Sequence, residues 1–191
     1  MSKQSLRASF IKKRSALTTE ELARQSGLIA DRFGEWLTQY SINVLHTFLP
    51  IDNQKEINTW LVVDHIEAVL PTLRIAIPKV LEGTNELEHA YYRDKASLVL
   101  SKWNIPEPSN SAEPVNVKDI EMVLVPLLTF DKNGHRLGYG KGFYDRFLRR
   151  CNPDTIKVGL SIFPPIEEIP HIDEYDVSLD YCVTPSEIYT F

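Results

Sequence analysis

The sequence has 191 residues, 43% of them hydrophobic, with a formal net charge of −5. That length suits one ordinary domain with a buried core, and the acidic balance argues against a nucleic-acid partner, which would call for a basic face. No apolar run approaches the ~18 residues that span a bilayer, and Cys151 and Cys182 have neither metal nor redox spacing, so a cytoplasmic protein without membrane association is expected.

Residues 2–16 place Leu6, Phe10 and Ile11 at helical spacing. Lys3 and Arg7 lie one turn apart, where they either converge on one anion or form a solvated face. Basic residues crowd this start (Lys3, Arg7, Lys12, Lys13, Arg14), yet no apolar h-region or small-residue cleavage site follows, so the segment reads as part of the mature fold. Thr18 and Glu21 make a capping-box pattern ahead of a second amphipathic helix ending near Gln39. Residues 42–49 predict a buried parallel strand, and 50–55 a polar connection. Glu56 heads a helix to residue 70. There it is either a first-turn acid complementing the helix dipole or a polar hook at the carboxyl end of the preceding strand. Residues 74–80 and 87–92, with Gly83 and Asn85 between them, predict an antiparallel pair at a sheet edge. Residues 105–114 hold three prolines and read as loop.

Residues 123–150 run VLVPLLTF, DKNGHRLGYGKG, FYDRFLRR, which is the order strand, glycine loop, helix. Gly138, Gly140 and Gly142 would let backbone approach an anion at a helix N-terminus, and Arg136 and Lys141 add positive charge there. The same glycines would also serve a tight connection. The spacing is that of neither a P-loop nor a dinucleotide fingerprint. Residues 155–163 and 180–184 predict two further strands, the second being the last. Asp176 joins Asp145 in a Mg²⁺–nucleotide site only if folding brings the two together. No zinc pattern, repeat or G-x-S-x-G element is present. Alternating helices and strands predict a three-layer α/β fold, with a mainly parallel, open, Rossmann-like sheet in a single domain over 1–191.

The stretch LVPLLTFDKNGHRLGYGKGFYDRFL resembles the signature of the 5-formyltetrahydrofolate cyclo-ligase (methenyltetrahydrofolate synthetase) family. KQSLR at 3–7, KEINT at 55–59, IPEP at 105–108 and the tail at 158–184 are similar to the family's other elements in the same order. The resemblance implies ATP- and Mg²⁺-dependent cyclisation of 5-formyltetrahydrofolate to 5,10-methenyltetrahydrofolate, with release of ADP and phosphate; partners other than these small molecules are not expected, and a monomer is. It further implies that Lys3, Arg7 and the loop Arg136, Leu137, Gly138, Tyr139, Gly140, Lys141, Gly142, Phe143 and Tyr144 hold ATP, with Lys141 and Arg136 catalytic. Tyr139 through Phe143 would also line the folate site, Glu56 would hydrogen-bond the pterin, and Ile51 or Leu49 would pack on it. Asp145 and Asp176 match the Mg²⁺ positions. Three other readings stay open on the residues themselves: a phosphosugar isomerase-like phosphate-binding enzyme, a folate- or nucleotide-binding module without catalysis and, weakest because of the acidic balance, RNA binding through the basic N-terminus.

Overall fold

The computed structural model describes residues 2–101 and 105–191. Two capped helices open the chain. In α1 (Lys3–Ser15) the Ser2 hydroxyl accepts from the Ser5 N–H, and in α2 (Thr19–Leu37) Thr18 Oγ1 accepts from the Glu21 N–H while the Glu21 carboxylate accepts from the Thr18 N–H. Each box supplies partners to N–H groups that a helix start leaves open.

The strands of the main sheet are β1 (Val44–His46), β2 (Arg74–Val80), β3 (Leu87–Tyr91), β6 (Met122–Val125), β9 (Ile156–Leu160), β10 (Tyr181–Val183) and β11 (Ile188–Thr190), with α3 (Trp60–Val69) and α4 (Phe143–Arg150) between them in the chain. They form a seven-stranded sheet in the order β11-β10-β9-β6-β1-β2-β3. The inner strands run parallel, and the edge strands β3 and β11 are antiparallel to their neighbours. Successive side chains of a strand point to opposite faces. Leu45, Ile75, Ile77, Met122 and Leu124 therefore meet Phe33, Leu37, Val63 and Ile66 of α2 and α3, while Val44, Ala76, Val123 and Val125 meet Phe147 and Leu148 of α4. Full burial of such a side chain stabilises the fold by about 1.5–3 kcal/mol. This is the three-layer, mainly parallel α/β arrangement that the alternation of elements predicts. Among the described residues no helix is long and apolar enough to cross a membrane.

From β1 the chain builds β2 and β3 on one side, then crosses to β6 on the other. The sheet's switch point thus lies between the carboxyl ends of β1 and β6, the place where open α/β sheets bind ligands.

Several elements differ from the sequence reading. The apolar run 123–130 is not one strand, because Pro126 has no N–H to extend the ladder. The chain turns there, and β7 (Thr129–Phe130) pairs with β8 (Arg136–Leu137) in a hairpin. The buried Asp131 carboxylate ties that turn by accepting from the N–H groups of Asn133, His135 and Ile169. Burial alone would raise its pKa; these bonds and the His135 ring hold it below the ordinary carboxylate value. Helix α3 begins at Trp60, so Glu56 precedes it. Lys55 in a left-handed conformation (φ 48) and the Thr59 hydroxyl, donating to Phe48 O, keep this stretch folded back on β1. The 105–114 loop contains β5 (Pro106–Pro108), paired with β4 (Leu98–Leu100), and β11 follows the strand expected to be last.

Candidate functional site

A cleft of about 840 Å³ opens over the switch point. Phe48 and Leu49 beyond β1 and Pro126 beyond β6 form its floor, α1 and the glycine loop one wall, and the β2–β3 turn with residues 105–107 the other.

The glycine loop meets α1 closely. Arg7 Nε donates to Gly138 O (3.0 Å), and a Cβ on Gly140 would lie 3.1 Å from Arg7 Cζ. Gly140 also has φ +89, a conformation that side chains disfavour, so both geometry and space select glycine. Gly142, φ +69, is the N-cap of α4. The first helical bond from this end runs from Arg146 N to Gly142 O (3.2 Å), which leaves the N–H groups of Phe143, Tyr144 and Asp145 ahead of it without intrahelical acceptors. Lys141 is exposed, and its ammonium makes no hydrogen bond or ion pair among the described residues. An anion here would meet backbone donors, a helix dipole and a free cation together.

Asp145 and Asp176, 31 residues apart in sequence, border the same cleft. Arg136, its side chain 6% exposed, donates to Asp145 Oδ1 (2.6 Å) and to Val177 O; the Val177 N–H also donates to Asp145 Oδ1 (3.2 Å). Lys3 Nζ lies 2.5 Å from Asp176 Oδ2, which also accepts from Asp173 N (3.1 Å). Burial pushes the Asp176 carboxyl up, but Lys3 and the Asp173 N–H hold it below its ordinary value. Each aspartate keeps one oxygen, Oδ2 of Asp145 and Oδ1 of Asp176, without a hydrogen bond among the described residues. Among those residues no three His, Cys, Asp or Glu side chains cluster as a metal cage. Two carboxylates with free oxygens beside an anion site nevertheless fit Mg²⁺, a cation that takes oxygen ligands and is usually held by one or two carboxylates.

The other end of the cleft is apolar around one buried acid. Glu56 is 7% exposed; its Oε2 accepts from the Ile51 N–H (2.9 Å) and its Oε1 from the Tyr139 hydroxyl (2.7 Å). The Tyr139 oxygen in turn accepts from the Arg14 guanidinium. Burial raises the Glu56 pKa, and the Ile51 N–H, the Tyr139 hydroxyl and the Arg14 charge oppose it. Ile51 and Leu49 both border the cleft, but Leu49 is 5% exposed and belongs to the core, leaving Ile51 the more open face. Leu137 is also 2% exposed and packs with Leu6 and Phe10 of α1, whereas Phe143 is half-buried at the cleft wall. The Tyr144 hydroxyl is buried at the same wall without a partner.

Folding therefore brings every residue singled out in the sequence to one cleft. Arg14, 6% exposed and not singled out for the site, does not border the cleft but reaches it through its hydrogen bond to Tyr139. Its signal was present: residues 3, 7, 10 and 14 advance by four, three and four along α1 and so share one face.

Fold and site together define an open α/β enzyme whose glycine loop, basic helix and paired aspartates converge at the sheet's switch point. The family model for the 5-formyltetrahydrofolate cyclo-ligase family matches residues 1–185, and the chain belongs to that family, whose members are ligases. It is 28% identical over 193 residues to a mouse 5-formyltetrahydrofolate cyclo-ligase, covering 93% of this chain and 91% of that one. Among solved structures it resembles the 5,10-methenyltetrahydrofolate synthetase of Aquifex aeolicus (TM-score 0.84, 30% identity, 100% and 93% of the two chains). It also resembles the 5,10-methenyltetrahydrofolate synthetase of Mycoplasma pneumoniae (TM-score 0.77, 25% identity, 97% and 99% of the two chains).

Proposed function

We propose that the chain catalyses the ATP- and Mg²⁺-dependent cyclisation of 5-formyltetrahydrofolate to 5,10-methenyltetrahydrofolate, releasing ADP and phosphate. The observation that carries this reading is a cleft with two unlike ends. Lys141, Arg7 and the N-terminus of α4 make one end anionophilic, and a buried carboxylate beside Ile51 makes the other suited to a flat heterocycle with N–H donors.

A formamide oxygen is a poor leaving group. Transfer of the ATP γ-phosphoryl to it yields ADP and an iminium-like phosphate ester; the substrate's N10 then attacks the activated carbon, and phosphate departs as the ring closes. Such a reaction needs positioning and charge stabilisation more than a protein nucleophile. Lys3, Arg7, Lys141 and the loop N–H groups would hold the phosphates. Arg136 would fix Asp145, and Asp145 and Asp176 would hold Mg²⁺, which supplies neutralisation of charge on the phosphate oxygens. Glu56 would accept from the pterin and Ile51 would pack on its ring, setting N10 and the formyl group in register with the phosphates. We read the chain as a single domain, because residues from 3 to 176 share the site, and as a cytoplasmic monomer without nucleic-acid or membrane partners.

The test is a spectrophotometric assay with 5-formyltetrahydrofolate, ATP and Mg²⁺, following absorbance of the methenyl product. Product that requires ATP and is lost on chelation of Mg²⁺ is the expected result. Binding of both ligands by calorimetry without product would instead make this a binding module.

A further inference from the structure

Arg14 lies near the C-terminal end of α1, 6% exposed, and a guanidinium that deep needs a compensating partner. No carboxylate touches it among the described residues. Its hydrogen-bond partner there is the Tyr139 oxygen, and its Nε is buried without one. The phenol passes the connection on, donating its own proton to Glu56 Oε1 (2.7 Å). The chain is thus directional: guanidinium to phenol oxygen, phenol hydrogen to carboxylate. It joins α1, the glycine loop and the segment after β1.

We propose that Arg14 is a positioning residue for substrate binding, whose charge, carried through the Tyr139 phenol, keeps Glu56 ionised and aimed into the cleft before the pterin arrives. This rests on the proposed role of Glu56 as the pterin's acceptor. A carboxyl group buried without a cation takes up a proton, and its O–H would then face the substrate's N–H donors instead of accepting from them. The groups facing Glu56 are Arg14 from α1, Tyr139 from the glycine loop and Tyr144 from α4. Burial holds both phenols far above their ordinary values, which leaves Glu56 as the acid of this set on which the Arg14 charge acts.

Arg14→Met should raise KM for 5-formyltetrahydrofolate about tenfold with a much smaller change in kcat, and should move the acidic limb of the kcat/KM profile to higher pH. KM for ATP should stay near wild type. Arg14→Lys, which keeps the charge, should return the limb towards its original position, a rescue that a packing role alone would not produce. Should Arg14→Met fail to fold, Arg14→Gln removes the charge while keeping a donor, and Tyr139→Phe breaks the chain without altering α1; both should show the same displaced limb. Folded variants with a wild-type limb and wild-type folate KM would overturn the proposal. Glu56→Gln separates the two claims: if it leaves folate affinity intact, the role of Glu56 fails, whereas lost affinity in Glu56→Gln beside an unaffected Arg14→Met sinks the role of Arg14 alone.

Discussion

At the scale of single residues, the site depends on which polar groups are left free. Lys141 is exposed and unpaired among the described residues, so Lys141→Ala should leave the fold unchanged and lower kcat roughly 10²-fold at saturating substrates. Turnover near wild type in a variant with an unchanged melting curve would remove Lys141 from the chemistry. Gly140 makes a different case. An alanine there would hold φ +89 at a cost of about 1–2 kcal/mol, and its Cβ would press on the Arg7 guanidinium at 3.1 to 3.3 Å. Gly140→Ala is expected to lower Tm by several degrees and to raise KM for ATP more than KM for folate, which paired kinetics and calorimetry will show. The glycines, Lys141 and the Lys3/Arg7 pair were legible as residue types at fixed spacing. Arg14 was not singled out, because in sequence it is one of several basic residues and only its burial distinguishes it.

At the scale of elements, local signals decided what formed and long-range contacts decided where it stopped. The Thr18–Glu21 box marks the start of α2 at the residue the spacing indicates. Thr18→Ala should cost about 1 kcal/mol, seen as a fall in Tm of about 2–4 °C, with kcat unchanged because the cap does not border the cleft. A larger fall in kcat than in stability would mean that α2 does more than support the sheet. The helix expected from Glu56 fails for a tertiary reason. Its first turn is taken up by the Thr59 hydroxyl on Phe48 O and by the carboxylate reaching back to the Ile51 N–H, contacts that an isolated peptide could not hold. Of the two readings of Glu56, the polar hook beyond the strand is the one this geometry matches. The run 123–130 is apolar throughout and carries no periodic mark of its break. Pro126 was the available clue, and the hairpin that follows needs β8 as its partner.

At the scale of the molecule, a buried histidine pair ties the two sides of the fold together. His46 of β1 and His89 of β3 share a ring-to-ring hydrogen bond (3.1 Å), and His89 stacks on Phe147 of α4 (3.9 Å between centroids). Burial, with Arg150 adding to it, holds His89 down to about 4, and burial holds His46 well below its ordinary value. The folded chain keeps both neutral while the unfolded chain protonates near 6.5, so the unfolded state binds more protons between those values. Stability should be unaffected by the pair above about pH 7 and should fall as pH drops from 6.5 towards 4, by roughly 3 kcal/mol for His89. Glu56 and Glu107, whose pKa values burial raises, act in the opposite direction above 4.5. Urea unfolding of the wild type and His89→Gln across pH 4–7.5 isolates the histidine contribution: the two should differ in slope within that window, and parallel curves would refute the assignment.

The sequence by itself determined the helices, the parallel character of the sheet, the glycine loop and the kinds of charge gathered near it, because propensity, capping and pleat periodicity act over a few residues. The tertiary structure alone decided that Asp145 meets Arg136 while Asp176 meets Lys3, and that a phenol 125 positions from Arg14 and 83 from Glu56 links the two. Those pairings depend on the order of strands in the sheet. Strand order follows from how two faces are buried at once, a property of the whole packed chain rather than of any stretch within it.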